Sequence, residues 1–411
     1  SLPFAYMISV GNQTFLRLED FIDVLCTRPE VKAIGLHIEG LKNISRFSEV
    51  ALKALDAGVP IVALKTGSSK IGSELTVSHT ASLSGSDDLF QALFDRLGII
   101  RVSDPSQLLE TLKFICVAGI PKGKRLVGLT CSGGGATMIA DHAETIGLEF
   151  PRPSEKTVER LTSLLYYTAT VSNPLDYTTP IWGIPERVSP VFETLLTDPY
   201  DSAIFVQDYP PPELDESKPY YLSDAKSFIE ASSKVRIPSA ICSTLPENMD
   251  QSTREMLVEN GVAPMQGIHE ALNAISAAAW YFGRRETILK NGIEKISIKP
   301  LSGISTTGNV STLVDEWEGK RLLQKIGLNV PEGRIAESTE VPEVAEKIGF
   351  PVVVKMVGKN LAHKTDAGAI ALNLLSCEEV KIAVDRMKKD VEHFDPAAVS
   401  EKFLVEKMLE R

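Results

Sequence analysis

Cysteine is scarce: the chain of 411 residues has 5 (Cys26, Cys116, Cys131, Cys242, Cys377), none at CxxC spacing. That excludes a dense disulfide framework and a cysteine-based zinc site, and it fits reduced core thiols in the cytoplasm. Long hydrophobic runs are missing as well, since nothing reaches the ~18 uncharged apolar residues that a membrane helix needs. No positively charged start followed by an apolar stretch opens the chain. Basic residues are in deficit, with 43 Lys and Arg against 54 Asp and Glu, a net charge of −11. A nucleic-acid partner is therefore not expected, and a bound anion has to be held by local features. A hydrophobic content of 43% and a charged content of 24% are ordinary for a soluble globular protein.

What is present is an alternation of short β-like apolar runs with helix-length amphipathic stretches, the pattern of α/β units on parallel sheets. Phe4 to Val10, Ala33 to Ile38, Pro60 to Leu64 and Ile99 to Val102 read as strands. Helices are expected over Ser45 to Ala57, Asp87 to Leu97 and Pro105 to Val117, so residues 1–120 form one doubly wound domain. A second such domain is expected over residues 121–290. Its strands are Leu126 to Thr130, Ala203 to Val206 and Ser239 to Cys242, and a helix from Glu270 to Phe282 closes it. Residues 291–312 are polar and broken by Gly and Pro, and read as a linker. A third unit occupies residues 313–411, with a helix at Glu316 to Ile326 and strands at Pro351 to Met356 and Phe403 to Met408.

One loop stands out chemically. Lys65-Thr66-Gly67 ends a strand, and Ser78-His79-Thr80-Ala81-Ser82-Leu83-Ser84-Gly85 follows before Asp87 opens a helix. Loops at the carboxyl ends of strands in doubly wound sheets are where ligands bind. A histidine there is a competent nucleophile at neutral pH. The spacing alone leaves open a histidine that only caps a helix or meets solvent. Ser132-Gly133-Gly134-Gly135 follows a strand as a loop and leads into a helix expected from Ala136 to Ile146, where backbone amides and the helix dipole favour an anion. Tight strand–helix packing explains such a turn equally well. His37, His142, His269 and His393 have no partner at metal-ligand spacing, and no protein metal site is expected.

The run from Lys65 to Val102 resembles the ligase domain of NDP-forming acyl-CoA synthetases, a group that includes succinyl-CoA synthetase and ADP-forming acetate–CoA ligase. Ser78, His79, Thr80, Leu83 and Gly85 match the family's octet, while Ala81, Ser82 and Ser84 depart from it. The resemblance implies that His79 is the phosphorylated residue, and that Glu39 is the acid that hydrogen-bonds it. It also implies that Gly133, Gly134, Gly135 and Ala136 face the phosphohistidine from a helix N-terminus. Asn173-Pro174-Leu175-Asp176 looks like the family's N-P-x-D element at the edge of the same cleft. Asn173, Asp176, Tyr177 and Trp182 are expected to line the substrate, although an Asx-type turn with packed aromatics is the plainer reading. An aromatic wall would suit a bulkier or cationic acid better than acetate.

The third unit resembles the start of an ATP-grasp domain. Lys355 at a strand end matches the family's nucleotide-phosphate lysine, and His363-Lys364-Thr365-Asp366-Ala367-Gly368-Ala369 matches the loop that bears a second phosphate-carrying histidine, here His363. Val405-Glu406-Lys407-Met408 is expected to pack against adenine, with Glu406 binding nucleotide. The implied fold is two flavodoxin-like doubly wound domains followed by the first part of an ATP-grasp domain.

The implied activity is an ADP-forming acid–CoA ligase acting through acyl phosphate and phosphohistidine. Its expected substrates are a small carboxylic acid, coenzyme A and ATP/ADP with Mg²⁺, and it is expected to be a homo- or hetero-oligomer. No G-x-G-x-x-G turn occurs in residues 1–30, so the CoA site is expected outside this segment, and the ATP-grasp domain is expected to continue past it. The alternatives are a regulatory synthetase-like module of a lysine acetyltransferase, a CoA-ligase-type lyase on a specialised acid, and a non-catalytic binding protein.

Overall fold

In the computed structural model of the chain, residues 2, 4–69, 87–210, 216–293, 315–325, 327–358 and 364–409 are described. The segment from Ser78 to Gly85 with His79, the histidine His363, and most of the expected linker lie outside them. The chain divides into two compact units, Ser1–Lys299 and Pro300–Arg411.

The first unit begins with α1 (Leu18–Leu25), β1 (Ile34–Ile38), α2 (Ile44–Asp56), β2 (Ile61–Lys65), α3 (Asp87–Leu97), β3 (Ile100–Val102) and α4 (Pro105–Val117). It continues with β4 (Leu126–Thr130), α5 (Gly133–Ile146), α6 (Glu155–Leu164), β5 (Leu175–Asp176), α7 (Pro185–Leu196) and β6 (Ser202–Val206). The chain then forms α8 (Lys218–Val235), β7 (Ser239–Ser243), α9 (Gln251–Glu259), β8 (Ala263–Gln266) and α10 (Ile268–Asn291). The strands form two parallel sheets, β1-β2-β3 and β5-β4-β6-β7-β8.

Every residue of β2, β4, β6 and β7 is buried, as expected for parallel strands covered on both faces. Alternation along β6 sends Ala203 and Phe205 into one core and Ile204 and Val206 into another. The second of these cores also holds Val62, Leu64 and Ile100 of the first sheet, with Leu112 of α4 and Leu272 and Ile275 of α10. The two sheets therefore share one apolar core, with α4 and α10 contributing to it.

A buried ion pair ties α4 to the second sheet. Glu110 and Lys113 meet at 2.6 Å with both side chains 6% exposed. Lys113 Nζ donates to the Pro264 carbonyl at 2.8 Å, and the Gln266 backbone N–H donates to Glu110 Oε2 at 3.0 Å. Pro264 is tolerated because β8 is an edge strand, where a missing ladder donor costs little.

The second unit contains α11 (Glu316–Lys325), β9 (Gly333–Glu337), α12 (Val341–Ile348), β10 (Val352–Met356), β11 (Ile370–Leu374), α13 (Cys377–Phe394) and β12 (Lys402–Lys407). Its sheet is antiparallel in the order β11-β10-β12-β9, and α12 and α13 bury Val341, Ala345, Val380 and Met387 against it.

Three expectations need correction. Phe4 to Val10 forms no strand; Phe4, Tyr6, Met7 and Ile8 are exposed, and an apolar run without a sheet partner has nothing to stabilise it. The helix after β4 starts at Gly133, not Ala136, because Ser132 caps it by accepting from the Gly135 N–H at 3.3 Å. Gly135 is needed there, since a Cβ would lie 2.8 Å from Thr130 Oγ1. The closing helix α10 runs to Asn291, nine residues past the expected end, with Arg284 and Arg285 donating to the Asp95, Leu55 and Asp56 carbonyls of the first sheet's layer.

Candidate functional site

The carboxyl ends of the parallel strands collect the polar groups of the first unit. Glu39 follows β1 as an exposed residue, and the ladder sets Ile38 opposite Lys65 at the end of β2. Lys65 is 5% exposed, with its ammonium 4.7 Å above the Phe90 ring. Burial lowers its pKa, Asp87 and Glu39 oppose that shift, and Arg101 adds to it. Arg101 is held by Asp87 at 2.6 Å and by Gln91 at 3.1 Å. A cavity of about 910 Å³ opens here, bringing Lys65, Ser68, Arg101 and Ser103 together with His269 and Asn273 at the start of α10. His269 also meets His142 of α5 edge to face at 5.7 Å.

At the end of β4, Gly133 and Gly134 are exposed in the first turn of α5, the electropositive end of a 14-residue helix. Asp176 stands beside this turn: Oδ2 is 3.5 Å from where a Cβ on Gly133 would be, and Oδ1 accepts the Thr178 N–H at 2.9 Å. Thr178 has φ 65°, a left-handed conformation that costs a β-branched residue energy and is retained where the surroundings over-determine it. The structure thus brings Asp176 to the glycine turn, as the spacing could not show.

Two of the expected lining residues are placed otherwise. The Asn173 side chain accepts from Gly128 N at 3.0 Å and donates to the Leu126 and Pro151 carbonyls, so it clasps β4 instead of facing a substrate. Tyr177 is 0% exposed among Phe192, Phe205 and Phe228, with its hydroxyl donating to Asp224 Oδ2 at 2.6 Å. A ring that large is worth most in the core, and its one polar atom has found a partner. Trp182 is half-buried against Tyr220 and Tyr221, and its indole N–H has no hydrogen-bond partner among the described residues.

Asp224 itself has no exposure. Burial raises its pKa to about 6, against lowering by the Tyr177 hydroxyl and the Gly183 N–H. A carboxyl group raised on folding contributes its stability below the unfolded value near 4 and loses it as pH rises through about 6. Asp224→Asn is therefore expected to gain on wild type by roughly 2–3 kcal/mol between pH 4 and 7. Parallel urea titrations of the two proteins at those pH values measure it, and identical pH trends would refute it.

In the second unit, Lys355 on β10 and Glu406 on β12 lie on adjacent strands, with Nζ 2.9 Å from Oε2. The side chain of Glu406 is 4% exposed and also meets Lys320 at 2.5 Å. It was expected to contact the nucleotide from a hinge; its carboxylate is instead committed to two ammonium groups. Glu316 accepts from Lys355 at 2.5 Å, from Lys320 at 2.9 Å and from Lys364 at 2.9 Å. Burial opposes ionisation of Glu316, but hydrogen bonds from Lys355, Lys320 and Lys364 outweigh it and hold the pKa at about 2. For Lys355 burial pulls downward, and the bonds to Glu316 and Glu406 raise its pKa overall.

Sequence reasoning missed Glu316, Lys320 and Lys364. The i,i+4 spacing of Glu316 and Lys320 was visible but is ordinary for any exposed helix. A depressed carboxylate contributes stability above its unfolded value and loses it as that site protonates. Glu316→Gln and wild type should therefore converge in stability as pH falls from about 4.5 toward 2, as followed by acid unfolding; a constant gap would contradict the network. Among the described residues, no group of three or more His, Cys, Asp or Glu could hold a metal ion, and no helix is long and apolar enough to cross a membrane.

Comparison with known proteins places these sites in a family context. Residues 1–115 match the succinyl-CoA ligase like flavodoxin domain, and residues 306–411 match an ATP-grasp domain. An ADP-forming acetate–CoA ligase of Archaeoglobus fulgidus is 27% identical over 99% of this chain and 57% of its own length. A trans-feruloyl-CoA synthase from an unknown prokaryotic organism is 26% identical over 98% of this chain and 55% of its own. The chain thus spans a little over half the length of these relatives. An acetyl-coenzyme A synthetase of Candidatus Korarchaeum cryptofilum, solved with phosphate and ADP, shares the fold with a TM-score of 0.59 at 23% identity, covering 69% of this chain and 60% of that one. The chain joins a succinyl-CoA ligase like flavodoxin domain to an ATP-grasp domain, and its relatives are ADP-forming acyl–CoA ligases.

Proposed function

We propose that the protein containing this chain joins a carboxylic acid to coenzyme A, with ATP converted to ADP and phosphate. The observation that carries the reading is the exposed Gly133-Gly134 turn at the start of α5, at the carboxyl end of β4, in a chain related to ADP-forming acyl–CoA ligases. Such a turn holds a phosphoryl group in an acidic protein without a basic patch. In this reading the γ-phosphoryl of ATP moves to a ring nitrogen of His79 and ADP leaves. The carboxylate of the acid then takes the phosphoryl group from His79, giving an acyl phosphate. The thiol of coenzyme A attacks the acyl carbon, and phosphate leaves. Glu39 orients the imidazole through its other nitrogen, Lys355 binds the nucleotide phosphates, and His363 is a second carrier. Asp176 borders the phosphoryl site, and Trp182 borders the acid.

Mg²⁺ enters with the nucleotide as its counter-ion. Coenzyme A binds through residues outside this segment or on another chain, and the three domains divide as residues 1–120, 121–290 and 313–411. The comparisons do not favour the acetyltransferase-module or lyase readings. Incubation of the full polypeptide with γ-labelled ATP tests the proposal: acid-labile, base-stable label on protein is expected. A screen of carboxylic acids by hydroxamate formation then identifies the substrate. Acyl-CoA formation without any phosphoenzyme would overturn the route.

A further inference from the structure

The lysine–carboxylate cluster of the second unit has a feature that nucleotide binding by Lys355 alone does not account for. Three ammonium groups from separate positions, Lys320 on α11, Lys355 on β10 and Lys364 ahead of β11, converge on the two oxygens of Glu316. A carboxylate offers ammonium donors the same kind of anionic oxygens as a phosphate group, at the same distances. The two carboxylates of the cluster are not equivalent. Glu406 belongs to β12, paired on both sides by β10 and β9, and its side chain is 4% exposed. Glu316 is the first residue of α11, and its side chain is 26% exposed. The buried Glu406 side chain has little room to leave the lysines, whereas Glu316 sits at the end of α11 and withdraws when the first turn of that helix shifts or unwinds. With Glu316 in place, three cations face two carboxylates; with it withdrawn, they face Glu406 alone, and the excess positive charge suits a di- or triphosphate.

We infer that Glu316 is a placeholder for a nucleotide phosphate, and that Lys320 and Lys364 act with Lys355 as the phosphate seat which Glu316 fills when no nucleotide is bound. This rests on the nucleotide-binding reading of the second unit. The placeholder keeps three lysines from repelling one another in the empty site. It also makes binding compete with an internal anion, so nucleotide affinity is lowered by the fraction of molecules in which Glu316 is seated. Because Glu316 begins α11, displacement couples phosphate occupancy to the chain entering that helix.

The test uses the full polypeptide, calorimetry with Mg-ADP and with adenosine, and hydrogen exchange of residues 315–325. Glu316→Gln is expected to tighten Mg-ADP binding by about tenfold and to leave adenosine binding unchanged. Lys320→Ala and Lys364→Ala are each expected to weaken Mg-ADP binding by at least about tenfold. In the wild type, Mg-ADP is expected to speed exchange in the first turn of α11 as the carboxylate lets go. Slower or unchanged exchange there would overturn the placeholder even if Glu316→Gln binds more tightly, because removing a negative charge alone favours ADP. Unchanged or weaker ADP affinity in folded Glu316→Gln would overturn it as well. Should Glu316→Gln fail to fold, Glu316→Asp, which keeps the charge but shortens the reach, is expected to bind Mg-ADP more tightly than wild type; equal or weaker affinity would again refute the displacement. Wild-type protein that binds adenosine and Mg-ADP equally well, with no loss in Lys355→Ala, would instead sink the nucleotide-phosphate reading beneath it.

Discussion

His79→Ala is expected to abolish phosphoenzyme and to lower acyl-CoA synthesis by roughly 10³-fold or more. Removing the nucleophile from a relay leaves only substrate positioning, and groups that act as a unit fail together. Every phosphoryl group has to pass through one imidazole in the proposed route, so no neighbouring hydroxyl of Ser78, Thr80 or Ser82 can substitute. The fold should be unaffected, because a polar histidine in the expected Ser- and Thr-rich loop contributes little core packing. Label retention after the γ-labelled ATP reaction and the initial rate of hydroxamate formation are the two measurements, with circular dichroism as the control for folding. A variant that keeps full synthesis would leave the acyl phosphate to form directly from ATP, and His79 would lose its role. Glu39→Gln should give a smaller loss, since an acid that orients the ring acts on the rate only through His79.

Lys113→Ala is expected to destabilise the first unit by about 3–5 kcal/mol, the largest effect on stability anticipated for a single exposed-looking charge in the sequence. In the folded protein Lys113 Nζ serves Glu110 at 2.6 Å and the Pro264 carbonyl at 2.8 Å, with almost no access to water. Truncation leaves the Glu110 carboxylate buried against the Gln266 N–H alone and leaves the Pro264 carbonyl without its donor. Both penalties fall at the point where α4 joins the second sheet. Urea unfolding of wild type, Lys113→Ala and the double variant Glu110→Gln/Lys113→Met measures the effect, and the double variant should recover much of the loss because no lone charge remains. A loss below about 1 kcal/mol in Lys113→Ala would mean that water reaches the pair.

Much of the fold was legible because it follows local rules. The alternation of apolar runs with amphipathic stretches located β1, β2, β3, β4, β6 and β7 to within a residue or two, and the helix expected from Pro105 is α4, whose N-cap Asp104 provides by accepting from Gln107 N. The weak elements were those whose residues contradict their local preference. Ala263–Gln266 contains Pro264 and becomes a strand only because an edge position excuses the missing donor. Phe4 to Val10 has strand composition but no partner strand among the described residues, and composition cannot supply one.

The sequence by itself determined the α/β class, the glycine turn at Gly133 to Gly135, the family resemblance and the identity of His79, Lys355 and Asp176 as candidates. These depend on residue type and short spacing, which the chain displays directly. Only the tertiary structure decided which side chains meet. It brought Asp176 to Gly133, drew Tyr177 into the core with Asp224, turned Asn173 onto β4, and gathered Lys320, Lys355 and Lys364 around Glu316. Apart from Lys320, one turn along α11 from Glu316, these join residues on different elements, up to 48 positions apart for Glu316 and Lys364. Charge, burial and hydrogen bonding act through distance in space, and spacing along the chain reports that distance only within a helix turn or a strand pair.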